Sequence, residues 1–179
     1  MATTTQLMTV EEARKLPQDK GSVYHELRHG ELVAVTRPKF KHYLLQDRLR
    51  EQLRALAPPG GFVGYEFAFR PLTEYELRVA DVAYVNPERA AHMDPEDNLR
   101  GAPDMVIEIL SPSKTVAEMY DKEKLCLENG SSEFWVADLD RHQVKVSTPD
   151  GRTVTYTSGQ AIPLPLFGGR QLSVDVVFG

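Results

Sequence analysis

Residues 101–113 read Gly-Ala-Pro-Asp-Met-Val-Ile-Glu-Ile-Leu-Ser-Pro-Ser, and they limit the folds open to the chain more than any other stretch. The run is β-type and carries two carboxylates on one edge. Side chains alternate across a strand, so Asp104, Val106 and Glu108 share one face and Met105, Ile107 and Ile109 the other. A strand apolar on both sides belongs inside a sheet covered by helices. Glu108 is then nearly buried. An unpaired charge there is too costly to persist, so Glu108 must be protonated, paired with a cation or bound to a metal. A second run, Arg78-Val-Ala-Asp81-Val-Ala-Tyr-Val85, poses the same question at Asp81. Two such carboxylates on neighbouring strands make a divalent-cation site.

The rest of the pattern supplies the elements around these strands. Thr9-Val-Glu-Glu12 predicts a capping box opening a short helix to about Leu16. Residues 22–27 and 31–36 predict a hairpin around Arg28-His29-Gly30-Glu31. Over residues 40–57, Leu45, Leu49, Leu53 and Leu56 recur at helical spacing with Arg48, Arg50 and Arg54 between them. Pro58-Pro59-Gly60-Gly61 ends that helix. Residues 62–70 and 75–85 read as strands. Residues 86–103, polar and aperiodic with three prolines, read as a loop. The strand at 104–110 follows, then a helix at 116–129, then strands at 133–138, 143–147, 153–157 and 172–176. From residue 40 the order is helix, three strands, helix, strand. That is α/β, with a mixed central sheet flanked by helices. A length of 179 residues suits one domain over residues 1–179.

Composition narrows the classes of function. No apolar run approaches a membrane span, and MATTTQLMTVEE lacks a signal-peptide pattern, so the expected location is cytoplasmic. The lone Cys126 excludes an internal disulfide, and no Cys/His cluster has zinc-ligand spacing. A net charge of −5 argues against non-specific coating of nucleic acid but leaves room for a local basic cleft.

The block at 101–113, with Glu118, Lys122 and Gly130 and then Glu133-Phe134-Trp135-Val136-Ala137-Asp138, resembles the bacterial Uma-type (Uma-two) endonucleases of the restriction-endonuclease-like, PD-(D/E)xK superfamily. The likeness extends to residues 24–32, to His42 and to the Asp81 strand, and covers residues 22–176. It implies a restriction-endonuclease-like core with an N-terminal hairpin and C-terminal strands. It also implies hydrolysis of phosphodiester bonds in DNA, with Mg²⁺ or Mn²⁺ as cofactor. Asp81 takes the place of the first metal-binding acid and Glu108 of the second. The usual motif has a Lys two residues after the second acid, where this chain has Leu110. Relatives commonly carry that Lys on the following helix, which points to Lys122 as the third catalytic residue. The chain departs from the family at Ala80, where Pro is usual, and at Glu118 and Cys126, where Asp and Tyr are usual. Ser131-Ser132 also replaces a Val-Pro-like pair.

Each residue also has a plainer reading. Asp81 could end a strand, Asp104 hold a turn, and Glu108 join a structural ion pair. Glu118 stands one helical turn before Lys122, in the orientation of a solvated pair. Lys114 and Lys124 are alternatives to Lys122. His42 and Glu66 are secondary candidates near the acids. His25, His29, His92 and His142 read as surface or hydrogen-bonding residues, Trp135 and Cys126 as core, and Arg48, Arg50 and Arg54 as a solvated face. Two functions stay open besides the DNA nuclease. One is a non-catalytic binding or assembly domain, favoured by Leu110 and the acidic charge. The other is cleavage of RNA or of another phosphodiester. Cutting both strands of DNA asks for two sites, which a homodimer provides.

Overall fold

The computed structural model describes residues 7–17, 23–72, 74–112 and 114–179. Residues 1–6, Ser22 at the expected start of the hairpin, and Ser113 lie outside them. Helix α1 (Val10–Arg14) opens on the expected capping box, with the Thr9 hydroxyl accepting from the Glu12 N–H and the Glu12 carboxylate from the Thr9 N–H. Strands β1 (Val23–Arg28) and β2 (Glu31–Thr36) pair antiparallel. Their two-residue turn, His29-Gly30, has both φ angles positive, at 51° and 77°, as a tight hairpin turn matching the twist of the strands requires.

Next come α2 (Phe40–Leu56), β3 (Phe62–Arg70), β4 (Arg78–Val85), α3 (Pro87–Ala90), β5 (Leu99–Arg100) and β6 (Met105–Ile109). Then follow α4 (Val116–Glu128), β7 (Glu133–Asp138), β8 (Gln143–Ser147) and β9 (Thr153–Tyr156). The chain closes with β10 (Ala161–Leu164), β11 (Arg170–Ser173) and α5 (Val174–Phe178). The main sheet has the order β5-β3-β4-β6-β7-β8-β9. It is mixed: β6 runs parallel to β7 and β3 to β5, while the other neighbours are antiparallel. The parallel β6–β7 pair needs a crossover, and α4 supplies it.

Two apolar cores sandwich this sheet. On one side Leu45, Leu49 and Leu53 of α2 cluster with Met105, Ile107 and Ile109 of β6, with Trp135 and with α5. The other core joins Val106 and Phe134 to Met119 and Cys126 of α4. Every residue of β6 is buried, as a central strand covered on both faces must be.

Three expectations need correction. Residues 86–103 are not all loop: Asn86 caps α3 by accepting from the Arg89 N–H at 2.9 Å, with Pro87 in the first turn, and β5 pairs with β3. The strand expected at 172–176 stops at Ser173 and continues as α5. There Val174, Val177 and Phe178 fall at helical spacing and enter the α2-side core. The strand expected from residue 75 begins only at Arg78.

Candidate active site

Strands β4 and β6 pair through Tyr84↔Met105, Ala83↔Val106 and Val82↔Ile107. The next residues outward are Asp81 and Glu108. Here the ladder ends, and side-chain oxygens take the place of backbone carbonyls. The Ile109 N–H donates to Asp81 Oδ2 at 2.6 Å, and the Asp81 N–H reaches Glu108 Oε1 at 3.4 Å. Asp81 and Glu108 are only 6 % and 1 % exposed. Two desolvated carboxylates side by side disfavour joint ionisation unless cations stand close.

Two lysines meet that need. Lys114, in the loop after β6, places Nζ 2.7 Å from Asp81 Oδ2, 2.7 Å from Glu108 Oε2 and 3.3 Å from the Ile109 carbonyl oxygen. Lys122 reaches in from α4. Its Nζ lies 2.7 Å from Glu108 Oε1, donates to the Val79 carbonyl at 2.6 Å and stands 3.6 Å from Glu26 Oε1. Glu26 in turn accepts from Arg28 Nε at 2.8 Å and from the Val79 N–H at 2.9 Å. Burial alone would raise the pKa of Asp81, but Lys114, His42 and Lys122 outweigh it and hold the carboxyl well below the usual range. Burial works against both ammonium groups, yet the neighbouring carboxylates hold Lys114 and Lys122 above their ordinary value.

The N-terminal half of α2 adds a polar edge. His42 and Gln46, one helical turn apart, share a face. His42 Nε2 stands 3.2 Å from Asp81 Oδ1, close but not aligned as a hydrogen bond. Gln46 Nε2 donates to Glu66 Oε1 at 2.6 Å and reaches Asp81 Oδ1 at 3.3 Å. Glu66 gets there through a kink in β3. The register runs unchanged from Tyr65↔Val82 to Phe67↔Ala80, but Glu66 has φ +48° and its pair with Asp81 is not made; the left-handed backbone takes its side chain out of the alternation of the strand. His42 Nε2 and Gln46 Oε1 are buried with no hydrogen-bond partner among the described residues. Buried polar atoms rarely stay unpaired, so these two mark a place where a ligand or water belongs. Tyr24 faces the same group: burial and the charges of Glu26, Glu66, Asp81 and Glu108 push its phenol well up.

Asp81, Glu108, Lys122 and His42 therefore come together, and Glu66 joins them through Gln46. Lys122 does not form the solvated pair with Glu118. Glu118 binds Arg28 at 2.7 Å and caps α4, while Lys122 is buried. Leu110 is partly exposed, and Lys124 pairs loosely with Glu128 at 4.0 Å on the surface. Asp104 holds a turn, accepting from the Asn86 backbone and side chain and from Arg89. Arg48 donates to the Phe178 carbonyl at the C-terminal end, and Arg50 lies over the Tyr65 ring. Sequence reasoning missed Gln46, Glu26, Tyr24 and the double bridge of Lys114. Gln46 carried a signal, being polar on a buried helix face. Lys114 stood only as an alternative to Lys122, and its place in a loop, which has no period, gave no sign that it bridges both acids.

The oxygens around Lys114 Nζ are two carboxylates and a carbonyl, a set suited to a hard divalent cation. Among the described residues no group of three or more His, Cys, Asp and Glu side chains is arranged to hold a metal ion. A cation here would take its remaining ligands from water and substrate, as Mg²⁺ commonly does.

Among the described residues no helix is long and apolar enough to cross a membrane. No curated protein matches the chain. A crystal structure described as "a putative nuclease belonging to DUF820 from Anabaena variabilis ATCC 29413" is similar in fold. It has 22% sequence identity and a TM-score of 0.80, covering 96% of this chain and 97% of that one. The family whose sequence pattern matches is Uma2, described as "Putative restriction endonuclease", over residues 10–175. The chain belongs to the Uma2 family.

Proposed function

We propose that the protein is an endonuclease that hydrolyses phosphodiester bonds of DNA and depends on Mg²⁺ or Mn²⁺ held by Asp81 and Glu108. The observation that carries this reading is the convergence of both carboxylates and the Ile109 carbonyl on one point, 2.7, 2.7 and 3.3 Å from the Lys114 ammonium. A bound divalent cation supplies Lewis acidity toward the phosphate and eases deprotonation of a water. The chain's own residues do the rest. Asp81 and Glu108 hold the cation, and Lys122 fixes the Glu108 carboxylate and offsets negative charge beside it. At the Asp81 end the unpaired His42 Nε2 binds water or, as a donor, a phosphate oxygen, and the unpaired Gln46 Oε1 accepts from water. Glu66 orients Gln46.

The test is plasmid cleavage by purified protein with Mg²⁺ or Mn²⁺. The expected result is nicking or cutting that EDTA stops. Asp81→Asn and Glu108→Gln, which keep shape and remove charge, lower the rate by more than the roughly 10–100-fold that loss of a supporting partner costs. Their circular dichroism stays native. A second reading, a binding or assembly domain on the same fold, is favoured by the lysine that closes the acid pair and by Leu110. It replaces the first if no nucleic acid is cleaved with any divalent metal.

A further inference from the structure

We propose that Lys114 is a built-in cation at the Asp81/Glu108 site, occupying the position of the divalent ion and leaving it when metal binds, so that this side chain sets the metal affinity of the protein. The inference rests on the reading of those two acids as the metal pair.

The Lys114 ammonium lies 2.7 Å from one oxygen of each acid and 3.3 Å from the Ile109 carbonyl. A metal held by the same oxygens lies about 2.0–2.6 Å from them. The two positions nearly coincide, so two like charges cannot hold them together. Charge gives the same answer. Lys114 bridges Glu108 and Asp81, so a divalent ion on the same oxygens would meet the ammonium at close range in a buried site, where unbalanced charge is costly. With Lys114 turned out, the ion takes over its charge against the two acids.

The two lysines differ in freedom. Lys122 is only 9% exposed in its side chain and is tied to the Val79 carbonyl. Lys114 is 23% exposed and sits in a loop. Its backbone is anchored independently: its N–H donates to the Ser111 carbonyl at 3.1 Å, and the next residue, Thr115, caps α4. The flexible stem can therefore turn to solvent while the backbone stays put. When the competent state is only the fraction with Lys114 out, apparent affinity falls by that fraction.

The experiment titrates the full chain with MnCl₂ in a calorimeter, without nucleic acid. Lys114→Met binds Mn²⁺ about 10-fold tighter or more than the unaltered protein, and Lys114→Arg no tighter. A second measurement needs no variant. Reductive methylation read by mass spectrometry shows Lys114 protected without metal and modified at saturating Mn²⁺, with Lys122 protected throughout. Equal affinity for Lys114→Met, or Lys114 labelling unmoved by bound Mn²⁺, overturns the inference and leaves the metal site standing. If neither protein binds Mn²⁺, both fall.

Discussion

Glu108 has one ammonium on each carboxylate oxygen, Lys122 on Oε1 and Lys114 on Oε2. The two pairs are not equivalent. Lys122 also lies within reach of Glu26, so its removal leaves two buried carboxylates facing each other. Breaking a buried pair from one side costs about 3–5 kcal/mol. Lys122→Met should therefore lower the free energy of urea unfolding by about that much, whereas Lys124→Met, on the surface, should stay within about 0.5 kcal/mol. A Lys122→Met protein as stable as the parent would show that the Glu26–Lys122–Glu108 chain contributes nothing to the fold. Glu26 adds a pH dependence. Burial raises its pKa, but Lys122, Arg28 and the Val79 N–H outweigh that and hold it below the ordinary value. A depressed carboxyl contributes stability above its unfolded pKa, about 4.3, and loses it as pH falls through the folded value. Metal-free protein should lose stability below about pH 5, and Glu26→Gln, weaker at pH 7, should lose less of it on acidification. Parallel stability–pH curves for the two would contradict this.

The left-handed kink in β3 is the feature on which the polar edge of the site depends. Glu66 holds a left-handed φ of +48° inside a strand. In an ordinary strand interior Ala is better than Gly by roughly 0.5–1 kcal/mol. At this position the order should invert: Glu66→Gly should be more stable than Glu66→Ala by about 1–2 kcal/mol, because only Gly escapes the left-handed penalty. Both variants lose the partner of Gln46, so chemical denaturation of the pair isolates the backbone term. Ala at least as stable as Gly would mean that the left-handed kink relaxes away. Nothing in Phe62-Val-Gly-Tyr-Glu-Phe announces this kink, since the run simply looks like a strand. Elements with a sustained pattern were legible, as the leucine spacing of α2 and the apolar residues around Glu108 in β6 show. Asp81 and Glu108 were legible as a problem, because a carboxylate in a buried strand needs a cation. Which cation answers it was not legible. Lys122 had a plausible surface partner one turn away, and the site of Lys114 exists only once the loop after β6 has folded back. The strand–helix switch at Ser173 was missed for a similar reason. Leu172-Ser-Val174-Asp-Val176 alternates apolar and polar residues as a strand does, and contact with α2 decides its form.

At the scale of the molecule, the sheet separates two apolar cores, and the acids sit where β4 and β6 stop pairing. From that point α2 on one side and α4 on the other can both reach the carboxylates. This explains why His42 and Gln46 meet Lys122 around one pair of strands. The site is thus a product of topology: an antiparallel β4–β6 step next to a parallel β6–β7 step, with α4 as the crossover. The central claim is that this junction binds one divalent cation through Asp81 and Glu108. Crystals soaked in Mn²⁺ and measured at a wavelength where manganese scatters anomalously test it directly. The account predicts a single strong peak about 2.0–2.6 Å from Asp81 Oδ2 and Glu108 Oε2, with the Lys114 side chain turned away. An empty junction with Lys114 still bridging the two acids at saturating Mn²⁺, or a manganese ion bound elsewhere, would contradict it.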